Sequence, residues 1–170
     1  LLEPIGTQEA IVAVATRLME DLGPDLVRDG VGARALRLAL YRVDGEVASL
    51  DIGLTTPTRS AAHVARLVDL RLERIVETID AGFGFEALAL AVTVAEKMES
   101  RQTALADAGE GDRPERRAAL IDGLRQRLGP RRVRGMAPVA SHLPERAETA
   151  CAPADEAAAW PAPDEARPRP

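Results

Sequence analysis

Residues 34–54 read RALRLALYRVDGEVASLDIGL, and this stretch alternates twice with a turn between the two runs. In Arg34–Val43 the even positions Leu36, Leu38 and Leu40 are large and apolar, while Ala35, Arg37, Ala39 and Tyr41 point the other way. In Val47–Leu54 the even positions Ala48, Leu50 and Ile52 continue the apolar set, opposite Val47, Ser49 and Asp51. A period of two is the mark of a half-buried strand. Asp44-Gly45 between the runs is a two-residue hairpin signal in which both turn positions are expected at φ > 0.

Working outward, the period changes. From Thr7 to about Leu22, apolar residues at Ile11, Val12, Ala15, Leu18, Met19 and Leu22 recur at three and four, with Thr7 as the cap and Gly23-Pro24 as the break. Ser60 to about Ile79 repeats the helical spacing through Val64, Leu67, Val68, Leu72 and Ile75. Alternation returns at Leu88, Leu90, Val92 and Val94, giving a strand to about Met98, and Leu1–Ile5 supplies a first strand. The expected fold is α+β: an open, mostly antiparallel four-stranded sheet with two helices on one face. The other face is left uncovered and presents Arg37, Tyr41, Ser49, Thr93 and Lys97 among alanines.

The chain divides by composition. Residues 1–98 hold the sheet domain, and 99–113 lose periodicity and read as a linker. Residues 114–147 form a small basic appendix with a helix from Pro114 to Leu128. Residues 148–170, rich in Ala, Pro, Asp and Glu, are too poor in large apolar side chains to fold alone and are expected to be a disordered tail. With 170 residues and 46% hydrophobic content, there is material for one core. The chain starts with Leu1 and reads as a piece of a longer protein.

Charge is unevenly spread. Residues 1–100 carry ten Lys/Arg against sixteen Asp/Glu, a balance of −6, whereas residues 113–134 carry eight Arg against Glu115 and Asp122, a balance of +6. Cys151 stands alone, so no internal disulfide forms and a cytoplasmic protein is the simplest reading. No run approaches the roughly 18 apolar residues of a membrane span, and four aromatics are too few for a base-stacking platform. No cofactor fingerprint is present: Gly82-Phe83-Gly84 lacks the third glycine and the preceding strand.

Several phrases, taken in order, resemble the C-terminal part of ImuB-type proteins, a branch of the Y-family DNA polymerases. They are Glu3-Pro4-Ile5, Gly32-Ala33-Arg34, Tyr41-Arg42-Val43-Asp44-Gly45, Pro57-Thr58-Arg59, Gly82-Phe83-Gly84-Phe85-Glu86 and Ser141-His142-Leu143-Pro144-Glu145-Arg146-Ala147. The resemblance implies a little-finger domain that lays its open sheet on duplex or primer-template DNA, with no polymerase active site of its own. It implies damage-tolerant (translesion) synthesis, a nucleoid-associated location in bacteria, and as partners the sliding clamp, an ImuA-type protein and an error-prone replicative-type polymerase. Two other readings stand beside it: the little finger of a catalytically active translesion polymerase, and a protein-interaction module without DNA binding.

For DNA contact the candidates are Arg37, Tyr41, Thr55, Thr56, Arg59, Thr93 and Lys97 on or beside the sheet, and Arg131, Arg132 and Arg134 in the basic appendix. Guanidinium, ammonium and hydroxyl groups are the donors that phosphate oxygens accept from. In the linker, Gln102-Thr103-Ala104-Leu105-Ala106 resembles a clamp-binding pentapeptide, with Gln102 and Leu105 as its anchors. Asp44 and Glu46 are the nearest approach to a metal-binding carboxylate pair, but Asp44 is accounted for by the turn. Ser141, His142 and Glu145 sit too close in one loop to hold the geometry of a hydrolase triad. His63 reads as a surface or core-edge residue.

Overall fold

The computed structural model describes residues 3–75, 84–98 and 112–153. Its elements run α1 (Gln8–Arg28), β1 (Val31–Arg42), β2 (Val47–Thr58), α2 (Ala61–Ile75), β3 (Phe85–Lys97), α3 (Asp112–Leu128), β4 (Gly135–Pro138) and β5 (Glu148–Cys151). The class is α+β, with a small antiparallel sheet ordered β2-β1-β3.

The leucine alternation builds the core. Leu36, Leu38 and Leu40 on β1 and Leu50, Ile52 and Leu54 on β2 are buried, opposed in register as Leu36↔Ile52 and Leu38↔Leu50. Ile11, Ala15 and Met19 of α1 and Val64, Leu67, Val68 and Leu72 of α2 close over them. Each Val, Leu, Ile or Met side chain among them contributes about 1.5–3 kcal/mol on full burial. Gln8 Nε2 donates to Asp69 Oδ1 at 2.7 Å and ties the start of α1 to α2.

Four expectations are corrected. The fourth strand reduces to a single bridge, Ile5↔Phe85: Leu1 and Leu2 lie outside the described residues, and two residues past Ile5 the chain has already turned into the Thr7 cap of α1. Helix α1 does not stop at Gly23-Pro24 but continues through Pro24 to Arg28. Glu20, whose carbonyl Pro24 cannot satisfy, is exposed to water, and Leu26 buries itself in the last turn. In the hairpin only Gly45 is left-handed, at φ 87°, and Asp44 is not. The Gly45 N–H donates to the Arg42 carbonyl at 3.0 Å and the Arg42 N–H to that of Glu46 at 2.8 Å, the pattern of a tight turn followed by a glycine bulge. Finally, Glu148–Cys151, expected within the tail, pair with β4 as β5, Gly135 opposite Cys151.

Strand β3 carries a further irregularity. Leu36 pairs with Val92 but Ala35 with Val94, so Thr93 is an extra, bulged residue. Beyond it the phase slips by one, and Val94, expected on the core face, is 51% exposed on the open side with Ala35. Among the described residues no helix is long and apolar enough to cross a membrane.

Candidate nucleic-acid interface

The face of the sheet away from α1 and α2 is made of the odd positions. Ala35, Arg37, Ala39 and Tyr41 of β1 lie between Val47, Ser49 and Asp51 of β2 and Ala87, Ala89, Ala91 and Val94 of β3. Alanine at the centre and along β3 keeps this surface low. At one end Tyr41 and Val47 form an exposed apolar edge.

Arg37 is at the middle of the face but is not a lone cation. Its Nε and Nη2 donate to Asp51 Oδ1 at 2.7 Å and Oδ2 at 3.2 Å, a forked cross-strand pair. The hydrogen bond from Arg37 holds the Asp51 carboxyl below its ordinary range, more than partial desolvation raises it, and Asp51 in turn holds Arg37 in its charged form. In α2, burial pushes the Arg71 guanidinium down, helped by the charge of Arg74 and opposed by Asp51. At the hairpin, partial desolvation works to raise Asp44, but hydrogen bonds from Arg42 and the Glu46 amide, with the charge of Arg42, win and lower it. Asp44 is thus engaged in the turn, and among the described residues no three of His, Cys, Asp and Glu gather as a metal site.

The remaining sequence-derived candidates scatter. Thr56 is exposed near the end of β2, and Thr93 is exposed at the bulge. Lys97 is exposed but sits three residues past Val94, so strand alternation sends its side chain to the side opposite Arg37. Arg59 turns inward, its Nε donating to the Val31 carbonyl at 2.6 Å, where it clasps the start of β1 to the end of β2. The close approach there is real: a Cβ on Gly32 would lie 2.9 Å from Thr58 N and 3.1 Å from Pro57 C. Arg131, Arg132 and Arg134 are exposed in the turn after α3, with Arg134 Nε donating to the Arg131 carbonyl at 3.0 Å. Gln102 and Leu105 lie outside the described residues.

Thr55 does not face solvent at all. Between Gly53 and Thr58 the pairing of β2 with β1 breaks, leaving edge-strand amides outside the ladder. The Thr55 N–H instead donates to Asp122 Oδ1 at 2.6 Å, while Asp122 Oδ2 lies 3.0 Å from His63 Nε2 on α2. Asp122 is 1% exposed. One carboxylate of α3 therefore latches that helix to both β2 and α2. In the sequence His63 reads as a surface or core-edge residue, and no local pattern signals its partner 59 residues away.

Residues 1–105 match the impB/mucB/samB family C-terminal domain. The chain is 34% identical, over 170 residues and 99% of its length, to Protein ImuB of Caulobacter vibrioides strain NA1000 / CB15N, and equally to that of strain ATCC 19089 / CIP 103742 / CB 15. It spans 36% of the length of those relatives. With the family match covering well over half the chain, and with the phrases from Glu3-Pro4-Ile5 to Gly82-Phe83-Gly84 falling inside it, this chain belongs to the impB/mucB/samB family and is an ImuB-type homologue.

Proposed function

We propose that this chain is a non-catalytic DNA-binding and adaptor region acting in DNA damage tolerance, with the uncovered face of the sheet lying along a duplex or primer-template backbone. The observation that carries the reading is that face. One side of the sheet is sealed by two helices, while the other is flat, floored by alanine and open for the length of β3. Small side chains let a phosphate backbone come close, and contact with phosphate brings affinity without sequence preference.

The charge balance shapes the proposal. Arg37 is matched by Asp51, Arg59 is turned to a backbone carbonyl and Thr55 is buried, so the sheet offers few unengaged donors. The exposed Arg131, Arg132 and Arg134 supply the larger share of the attraction. Binding is then expected to fall with salt, with a log–log slope near −0.9 per phosphate neutralised. Replacing Arg131, Arg132 and Arg134 with Gln should cost more affinity and more slope than replacing Arg37 on the open face, as measured by fluorescence anisotropy on a labelled duplex across a salt series. The reverse ranking overturns this weighting in favour of the sheet.

Adaptor partners follow from the family likeness: a sliding clamp through Gln102 and Leu105, an ImuA-type protein and an error-prone polymerase. Gln102→Ala with Leu105→Ala should weaken clamp binding without changing the circular-dichroism spectrum, and unchanged affinity removes the motif. A second reading, a protein-interaction module without DNA binding, is favoured by the balance of −6 over residues 1–100. Absence of salt-dependent duplex binding by the whole chain would decide for it.

A further inference from the structure

Helix α3 is packed inside out. Among its described side chains, 115–128, the buried ones are Ala118, Asp122 and Gln126, two of them polar, whereas Leu120, Leu124 and Leu128 are 63%, 39% and 49% exposed. A helix normally gains its place by burying its leucines. This one is held by hydrogen bonds through Asp122, and its apolar stripe is left facing out. By helical spacing Arg117 lies on the same outward face as Leu120, Leu124 and Leu128, and the exposed Arg127, whose Nη2 also donates to Glu73 Oε2 of α2 at 3.4 Å, flanks it.

The chain itself delivers a complementary segment to that face. Strand β5 ends at Cys151, and Arg117 Nη2 donates to the Pro153 carbonyl at 3.4 Å, so Pro153, the last described residue, lies beside the outward side of α3. Their first twelve residues contain Asp155, Glu156, Asp164 and Glu165, no Lys or Arg, and Trp160, the sole tryptophan of the protein. Trp160 stands seven positions beyond Pro153, a reach of up to about 23 Å. From Leu120 to Leu128 the stripe rises only about 12 Å, so the indole can reach any of the three leucines.

We infer that the Leu120–Leu124–Leu128 stripe of α3 is an interaction surface occupied by the chain's own acidic C-terminal segment, with Trp160 against the leucines and its carboxylates beside Arg117 and Arg127. An aromatic ring supplies the large apolar area that such a stripe selects. The tether makes the contact intramolecular, at an effective concentration of about 1 mM or above, so even a weak bimolecular affinity keeps the surface covered. An acidic, tryptophan-bearing segment on a partner would be the class of ligand able to compete for it.

The single tryptophan makes the test direct. Acrylamide, a neutral quencher that the arginines do not concentrate, is titrated against Trp160 fluorescence in the 170-residue chain and in a free peptide of residues 154–170. The expected result is several-fold weaker quenching and a blue-shifted emission in the chain, independent of protein concentration. Leu120→Ser with Leu124→Ser should return both to the peptide values with an unchanged circular-dichroism spectrum. Because those changes touch α3, a second variant leaves the folded part alone: Asp155→Asn, Glu156→Gln, Asp164→Asn and Glu165→Gln together should also raise quenching. Quenching equal to that of the peptide in the unaltered chain overturns the inference. Protection that grows with protein concentration also overturns it, since the stripe then belongs to a second copy.

Discussion

Asp122 and Thr55 are where single atoms decide most. Asp122 satisfies an otherwise stranded edge-strand amide and faces His63, so Asp122→Ala leaves buried donors without an acceptor and should destabilise the chain by about 1–3 kcal/mol. Thr55 Oγ1, by contrast, is buried without a hydrogen-bond partner. Thr55→Val exchanges an unsatisfied hydroxyl for a methyl of the same shape and should leave stability unchanged or raise it by up to about 1 kcal/mol. Urea unfolding of the two variants separates them, and the same Thr55→Val protein should bind duplex DNA as the parent does. On the open face, Asp51→Ala removes the matching charge of Arg37 and should strengthen duplex binding and steepen its salt slope. The Asp51 carboxyl is depressed in the folded state, so its stabilising contribution is full above the unfolded value of about 3.9 and is lost as pH falls through the lower folded value. The small stability difference between the parent and Asp51→Asn should therefore be present near neutrality and vanish in strong acid.

Among the elements, the strands and the two covering helices were legible because each repeats one period over many residues, and burial of Leu36, Leu38, Leu40, Leu50 and Ile52 follows that period. The failures sit where a single contact outweighs a pattern. Pro24 reads as a stop, yet it sits at an exposed turn, beside the exposed Glu20, where a lost hydrogen bond costs little, and Leu26 rewards another turn. Thr93 looks like any other strand residue, and only the β1 partners of its neighbours, Leu36 for Val92 and Ala35 for Val94, reveal the bulge that moves Val94 and Lys97 out of their expected phase. In α3, spacing alone would turn Leu120, Leu124 and Leu128 inward; a carboxylate contact made across the fold turns them outward. The corner of β1 and β2 offers a test of packing at this scale. Gly32→Ala places a methyl against backbone atoms of Pro57 and Thr58 that cannot swing away, and should cost about 1–3 kcal/mol in urea unfolding.

For the molecule as a whole, the candidate site was half legible: the open face and its alanine floor could be read from alternation, but not that Arg37, Arg59 and Thr55 are already engaged. The described residues form a sheet domain with α3 secured to its edge, and the purified chain should extend no primer with any divalent metal, as followed by gel-resolved nucleotide incorporation. The Asp122 latch has one more consequence. The Thr55 amide hydrogen can meet solvent only when α3 lifts from β2, whereas amides of the β1 ladder wait for the sheet itself to open. Hydrogen–deuterium exchange at that one position is thus a built-in gauge of how tightly α3 is held, readable while the rest of the protein stays folded. Slower exchange on adding a partner would mean that the partner clamps α3 down, and faster exchange that it pries the helix away.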